Sequence, residues 1–326
     1  MPEITVRQAL NDAIREEMRR DADVIVMGCD VGNRGGPFGI TKDLLGEFGT
    51  KRVIDTPISE PGFTGMGVGA AATGLRPIVE ILYSDWLTLC MDQLVNMAAK
   101  MRYMFGGKVN MPLLVRAPFG AGGGNAAQHS QSFEAWFNHV PGFKVVAPIT
   151  PYDVKGLFKT ALRDDNPVLF FEHKRSYAMK GEVPEGEYTV PFGQAAVRRE
   201  GTDVTIVSYS MMAVKAQEAA EKLSAEGISC EVIDLRSLLP LDYDTVMKSV
   251  AKTNRVVVVQ ETNLRGGLAG DIVAEIIDRG FDLLDAPPRR VGGLNIPMPY
   301  NMALENLVIP DTAKIMAAVR DVLSNQ

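Results

Sequence analysis

Six short, largely apolar runs in the first half of the chain constrain its fold more than any other feature: VIVMG (24–28), RVIDTP (52–57), RPIVEILYSD (76–85), PLLVRAP (112–118), KVVAPIT (144–150) and PVLFFEHK (167–174). A strand without a regular polar alternate is buried on both faces, which requires a parallel sheet covered by helices on each side. The intervening segments supply those helices. Between Thr5 and Arg20, Ala9, Leu10, Ala13, Ile14 and Met18 recur at helical spacing; residues 57–77 are rich in glycine and alanine; and a long helix is expected through about Tyr103.

Beyond a polar, glycine-containing stretch, the alternation begins again with VTIVSYS, a helix from Met211 to Glu226, SCEVIDLRSL, VMKSVAKT, RVVVVQET and a helix over Gly270–Gly280. The expectation is therefore an α/β protein of two domains, residues 1–180 and 199–326, joined by a linker at 181–198. No tandem repeat or low-complexity tract competes with this division.

Composition narrows the function classes. A formal net charge of −6 without a Lys/Arg run provides no basic surface for nucleic acid or an anionic membrane, and no apolar run reaches the length of a membrane span. Cys29, Cys90 and Cys230 are widely spaced and odd in number, fitting a reducing compartment. The N-terminal stretch carries acids and has no signal-peptide core, so a cytoplasmic location is expected. The dinucleotide fingerprint, P-loop, nucleophile elbow, H-E-x-x-H and C-x-x-C patterns are all absent from the sequence.

The densest candidate is PISEPGFTGMGVGAAATGLRP (57–77), in which Glu60 precedes five glycines. By itself Glu60 reads first as a helix-capping carboxylate and second as an acid aimed at a ligand. His129 follows Gly120, Gly122, Gly123 and Gly124, where flexible backbone can present an imidazole suited to proton transfer near neutral pH. The glycine run tips an otherwise even choice towards function. His139 reads as packing or capping, while His173 leaves a strand at the end where open α/β sheets bind ligands. Trp86 is core by default. HKRSY (173–177) reads as a solvated loop, and NLRGGLAGD (263–271) as either a helix cap or a phosphate cradle.

Taken in order, GCDVGNRGGPFGITKDLLGEFG, RVIDTPISEPGFTGMGVGAAATGLRPIVE, MDQLVNMAAKMRYMFGG, AAQHSQSFEAWFNHVPGFKVVAP and RDDNPVLFFEHK resemble the beta subunit of thiamine-diphosphate-dependent 2-oxo acid dehydrogenases of the pyruvate and acetoin type. VIDLRSLLPLD, RRVGG and PYNMALEN extend the match to the C-terminal half, and YSDWLTL, MRYMFGG and HSQSFEAWF look closest to the acetoin members. The resemblance implies a transketolase-like pyrimidine-binding domain followed by a transketolase C-terminal-like domain. It also implies cleavage of a 2-oxo acid or acetoin through an enamine on thiamine diphosphate, with acyl transfer to lipoamide. Branched-chain 2-oxo acid dehydrogenase, split transketolase and deoxyxylulose-type synthase subunits are the alternatives.

On this resemblance Glu60 matches the glutamate that hydrogen-bonds N1′ of the aminopyrimidine, with Ile58 and Ser59 beside it; Trp86 matches an aromatic against that ring; and His129 matches a histidine near the substrate and the incoming lipoyl group. Leu113, Ala161, Leu162, Asp164 and Asn166 match a potassium-binding loop. Thiamine enzymes hold the diphosphate through Mg²⁺ on a GDG motif, which this sequence lacks. The implication is half an active site, with Mg²⁺ on a partner alpha subunit, an α2β2 heterotetramer with a beta-to-beta contact, and a lipoyl domain of a dihydrolipoyl acyltransferase as the further partner. Cys29 stands where relatives commonly carry an acid linked to communication between the two active sites, which puts that route in doubt.

Overall fold

The computed structural model describes residues 1–324. They form two compact units, one of residues 1–119 and 136–192 and the other of 120–135 and 193–324. The changeover at 192–193 falls inside the expected linker of 181–198. The excursion of 120–135 into the second unit has no counterpart in the local sequence pattern.

The N-terminal unit comprises β1 (Glu3–Thr5), α1 (Val6–Arg20), β2 (Val24–Gly28), α2 (Leu44–Phe48), β3 (Val53–Asp55), α3 (Glu60–Ala72), β4 (Arg76–Glu80), α4 (Ala99–Met104) and β5 (Leu114–Phe119). After the short α5 (Glu134–Asn138) at the changeover come β6 (Lys144–Val146), α6 (Pro151–Arg163), β7 (Val168–His173) and β8 (Lys180–Glu182). Its main sheet runs β6-β7-β5-β4-β2-β3 and every pairing is parallel, as the uniformly apolar strands require. A small antiparallel pair, β1 with β8, ties the beginning of the unit to its end.

Local sequence explains the helices that cover this sheet. Thr5 caps α1 by accepting from Gln8 N at 3.2 Å, and Arg19 and Arg20 occupy the last turn, where cations favour the helix dipole. Leu10 and Ile14 of α1 share one core with Leu157 and Phe158 of α6, Val26 of β2 and Phe170 of β7. Each large apolar side chain buried there contributes roughly 1.5–3 kcal/mol. A buried ionic trio crosses the same sheet: Arg116 on β5 bonds Glu80 on β4 and Glu172 on β7, and Tyr177 donates to Glu172 at 2.8 Å.

The expected continuous helix reaching Tyr103 is instead three pieces: a 3₁₀ segment at Ser84–Cys90, a π segment at Asp92–Ala98, and α4. Such changes of helical pitch rotate side chains relative to a regular helix and are frequent at functional sites.

The C-terminal unit contains β9 (Ala196–Arg199), β10 (Val204–Ser208), α7 (Met211–Ser224), β11 (Cys230–Asp234), β12 (Ser237–Leu239), α8 (Tyr243–Thr253), β13 (Val256–Asn263), α9 (Leu268–Gly280), β14 (Arg289–Gly293), α10 (Met302–Val308) and α11 (Thr312–Ser324). Its sheet order is β14-β13-β10-β11-β9, parallel except at the β9 edge. Ala216 of α7 and Ile315 and Val319 of α11 pack over Ile206, Val232 and Val257.

Candidate active site

Glu60 is the first residue of α3 and only 6% exposed. A capping carboxylate would accept from backbone N–H groups of the first turn, but Glu60 has no hydrogen-bond or ion-pair partner among the described residues. No first-turn cap bond is formed by the Glu60 side chain. Ser59 and Ile58 precede it, with Ile58 83% exposed at the mouth of the same turn.

The rest of α3 explains why glycine surrounds this acid. A Cβ on Gly67 would come within 2.6 Å of Val79 Cγ2 and 3.3 Å of Leu113 Cδ1, so the helix lies against β4 at a distance only glycine permits. That packing anchors the turn bearing Glu60.

Trp86 is half-buried in the 3₁₀ segment, edge-on to Tyr83 at a ring separation of 5.2 Å. Thr64, one turn after Glu60, donates to Cys90 Sγ at 3.3 Å, and the Cys90 thiol donates to Trp86 O at 3.7 Å. Burial pushes the Cys90 thiol up to about 11, so it remains a neutral donor. Cys29, at the end of β2, donates to Pro57 O at 3.6 Å just ahead of Glu60, and burial raises its pKa as well. A thiol therefore stands at the position where the resemblance places an acid in relatives. Sequence reasoning misses Thr64 and Cys90, because neither has a recognisable motif.

The five candidate potassium ligands also lie within the N-terminal unit. Leu162 O and Asp164 O each accept from the Arg76 guanidinium at 3.1 Å, Leu113 O accepts from Val168 N, and Ala161 O accepts from Asp164 N. Arg102 donates to Asn166 Oδ1 at 3.1 Å, and Lys144 pairs with the Asp164 carboxylate. Every one of these oxygens already accepts a hydrogen bond, and each backbone carbonyl retains a second acceptor position.

His129 is half-buried within the segment that belongs to the C-terminal unit. The backbone there has φ of 89°, 90° and 64° at Gly120, Gly122 and Gly124, left-handed conformations that glycine adopts freely. Ala121 N donates to Glu261 Oε1 at 2.7 Å, while Gly122 N and Gly124 N donate to the two carboxylate oxygens of Glu305 at 2.8 and 2.9 Å. Thr262 Oγ1 donates to Ser132 O at 3.1 Å, and Tyr209 donates to Glu134 at 2.7 Å. Glu261 and Glu305 also carry no sequence signal of this role.

His173, Lys174, His139 and the 263–271 turn have the following surroundings, and His139 does not pack as expected. His173 is 1% exposed, accepts from Arg175 N at Nδ1, and meets the Phe119 ring edge-on at 5.4 Å. Lys174 lies 5.0 Å from the centre of the Tyr83 ring, and His139 is exposed. At the start of α9, Gln260 accepts from Ala269 N and donates to Asn263 O, so side-chain capping satisfies the glycine turn of 263–271.

A unit built on a parallel sheet and a second α/β unit together make up the described chain. The family model for the transketolase pyrimidine binding domain matches residues 2–180, and that for the transketolase C-terminal domain matches 193–315. The chain belongs to the pyruvate and acetoin dehydrogenase beta-subunit branch of this family. It is 46% identical over 332 residues to the acetoin:2,6-dichlorophenolindophenol oxidoreductase subunit beta of Bacillus subtilis, covering 98% of this chain and 97% of the relative. It is 48% identical over 320 residues to the pyruvate dehydrogenase E1 component subunit beta of Rickettsia felis, covering 98% of both. Acetoin and pyruvate relatives are thus about equally similar. Among solved structures, a split-gene transketolase, an inactive β4 tetramer, shares the fold with a TM-score of 0.81, 24% identity and 99% coverage of each chain. No described helix is long and apolar enough to cross a membrane.

Proposed function

We propose that this chain is the beta subunit of the decarboxylating component of a 2-oxo acid or acetoin dehydrogenase complex, acting on acetoin or pyruvate and passing the acyl group to lipoamide. Glu60 carries the reading: a buried carboxylate without a partner among the described residues suits N1′ of an aminopyrimidine. Bound thiamine diphosphate would supply the carbon nucleophile that cleaves the substrate. Glu60 holds the shared proton at N1′, Trp86 offers a ring face to the pyrimidine, and Ser59 and Ile58 border that end. His129 moves a proton or orients the acyl acceptor. Mg²⁺ and the diphosphate fall to an alpha subunit, because the GDG motif is missing from this sequence.

The same reading gives an α2β2 assembly with a beta-to-beta contact, a lipoyl domain as acyl acceptor, and a cytoplasmic location. Potassium at Leu113, Ala161, Leu162, Asp164 and Asn166 is part of it on the resemblance; since Arg76 already donates to Leu162 O and Asp164 O, the ion would use their second acceptor positions. Exchanging potassium for sodium while following thermal unfolding tests that site, and an unchanged midpoint would remove it from the proposal.

The decisive experiment is Glu60→Gln in the heteromer reconstituted with its alpha subunit, assayed with acetoin, pyruvate and branched 2-oxo acids in turn. Loss of a positioned proton-transfer group lowers turnover by about 10²–10⁴-fold; undiminished cofactor-dependent turnover would sink the assignment. Transfer between sugar phosphates without lipoamide would instead identify a split transketolase or a synthase.

A further inference from the structure

We infer that Glu305 is a positioning residue for His129, acting through a two-point carboxylate clamp on the glycine-rich segment that carries the histidine. This inference rests on the function proposed above. Gly122 N and Gly124 N converge on Oε1 and Oε2 of a single side chain, and Ala121 N adds a third bond to Glu261. Glu305 is fully buried and Glu261 is 7% exposed. Successive N–H groups presented by left-handed glycines form a concave donor site for an anion, and here protein carboxylates fill it. Charge-assisted bonds of this kind are about twice as strong as neutral ones.

The clamp lies five residues before His129, and the far end of the segment is fixed by Thr262 to Ser132 O and by Tyr209 to Glu134. Gly120 N also bonds Gln131 O at 3.4 Å, closing the base of the loop. The glycines alone would leave the histidine a broad range of positions. With both ends held, the imidazole is confined to a narrow one, the condition under which a proton-transfer group is effective. Glu305 sits at the fourth position of α10, whose Asn301 cap accepts from Ala303 N and Leu304 N, so the helix entry fixes the clamp in turn.

The test is a double-mutant cycle in the reconstituted heteromer with a lipoyl domain as acceptor, using Glu305→Ala, His129→Ala and the pair. Turnover of the unaltered heteromer is measured first, since its absence would defeat the functional reading without touching the clamp. With activity present, Glu305→Ala is expected to lower kcat about tenfold at little changed KM for acetoin or pyruvate, and the pair to lose no more than His129→Ala alone. Glu305→Gln, which keeps one acceptor oxygen, should recover part of the loss. Faster hydrogen exchange at the Gly122 and Gly124 amides provides a readout independent of activity. Multiplicative losses in the pair, unchanged turnover in Glu305→Ala, or unchanged exchange at those amides would each overturn the inference.

Discussion

Thr64 and Cys90, twenty-six residues apart, join the helix of Glu60 to the segment of Trp86 through a single hydroxyl-to-sulfur hydrogen bond of 3.3 Å. Thr64 lies four residues after Glu60, and Cys90 four after Trp86. Because the Cys90 thiol also donates to the Trp86 backbone carbonyl, the three residues form a short chain that ties the backbone carrying Trp86 to the helix of Glu60. Thr64→Val keeps the shape and removes the donor, so the fold should survive with a loss of about 1 kcal/mol. Its larger expected effect is a several-fold weaker affinity of the heteromer for thiamine diphosphate, read by calorimetric titration. An affinity equal to that of the unaltered protein would show that the link does not control Trp86.

Close packing of α3 on β4 gives a second prediction. Gly67→Ala places a methyl group 2.6 Å from Val79 Cγ2, and overpacking of this kind costs about 1–3 kcal/mol. Gly69 lies on the exposed side of the same helix, where an added Cβ would meet nothing within 4 Å, so Gly69→Ala should instead add up to about 1 kcal/mol of helix stability. Urea unfolding of the two variants should move the midpoint in opposite directions. Equal shifts would mean that glycine serves α3 for some reason other than contact with the sheet.

Periodicity makes the parallel sheet and α1 legible, because both are decided by local apolar spacing. Position 60 is visible too, but its role is not: a carboxylate at the head of a helix has the same local sequence whether it caps or waits for a ligand. Only the missing partner separates the two. The 3₁₀ and π pieces before α4 are hidden for another reason, since the Thr64 to Cys90 contact beside them joins residues 26 apart in sequence. The partners of the glycine loop lie 140 and 183 residues along the chain, well beyond any local signal. Gln260 shows the reverse case, where a side chain outside the quoted glycine motif bonds a first-turn amide of the following helix.

Glu134, at the far end of the histidine loop, supplies the last prediction. Full burial drives its pKa up to about 7, opposed by the Tyr209 hydroxyl that donates to it and reinforced by the negative charge of Glu261. Its folded-state pKa therefore exceeds the ordinary 4.5 of the unfolded chain. Between those two values the folded protein binds the extra proton, so the group's contribution is full below about pH 4.5 and is lost as pH rises through about 7. The loss is on the order of 3 kcal/mol by linkage. Glu134→Gln, neutral at every pH and still able to accept from Tyr209, should abolish this component: the stability difference, variant minus unaltered protein, should grow between pH 5 and 7 and level off above. Chemical denaturation at a series of pH values measures it directly. A difference that stays flat across that range would mean that Glu134 is already ionised at pH 5, and that the loop is anchored there by a charged rather than a neutral acid.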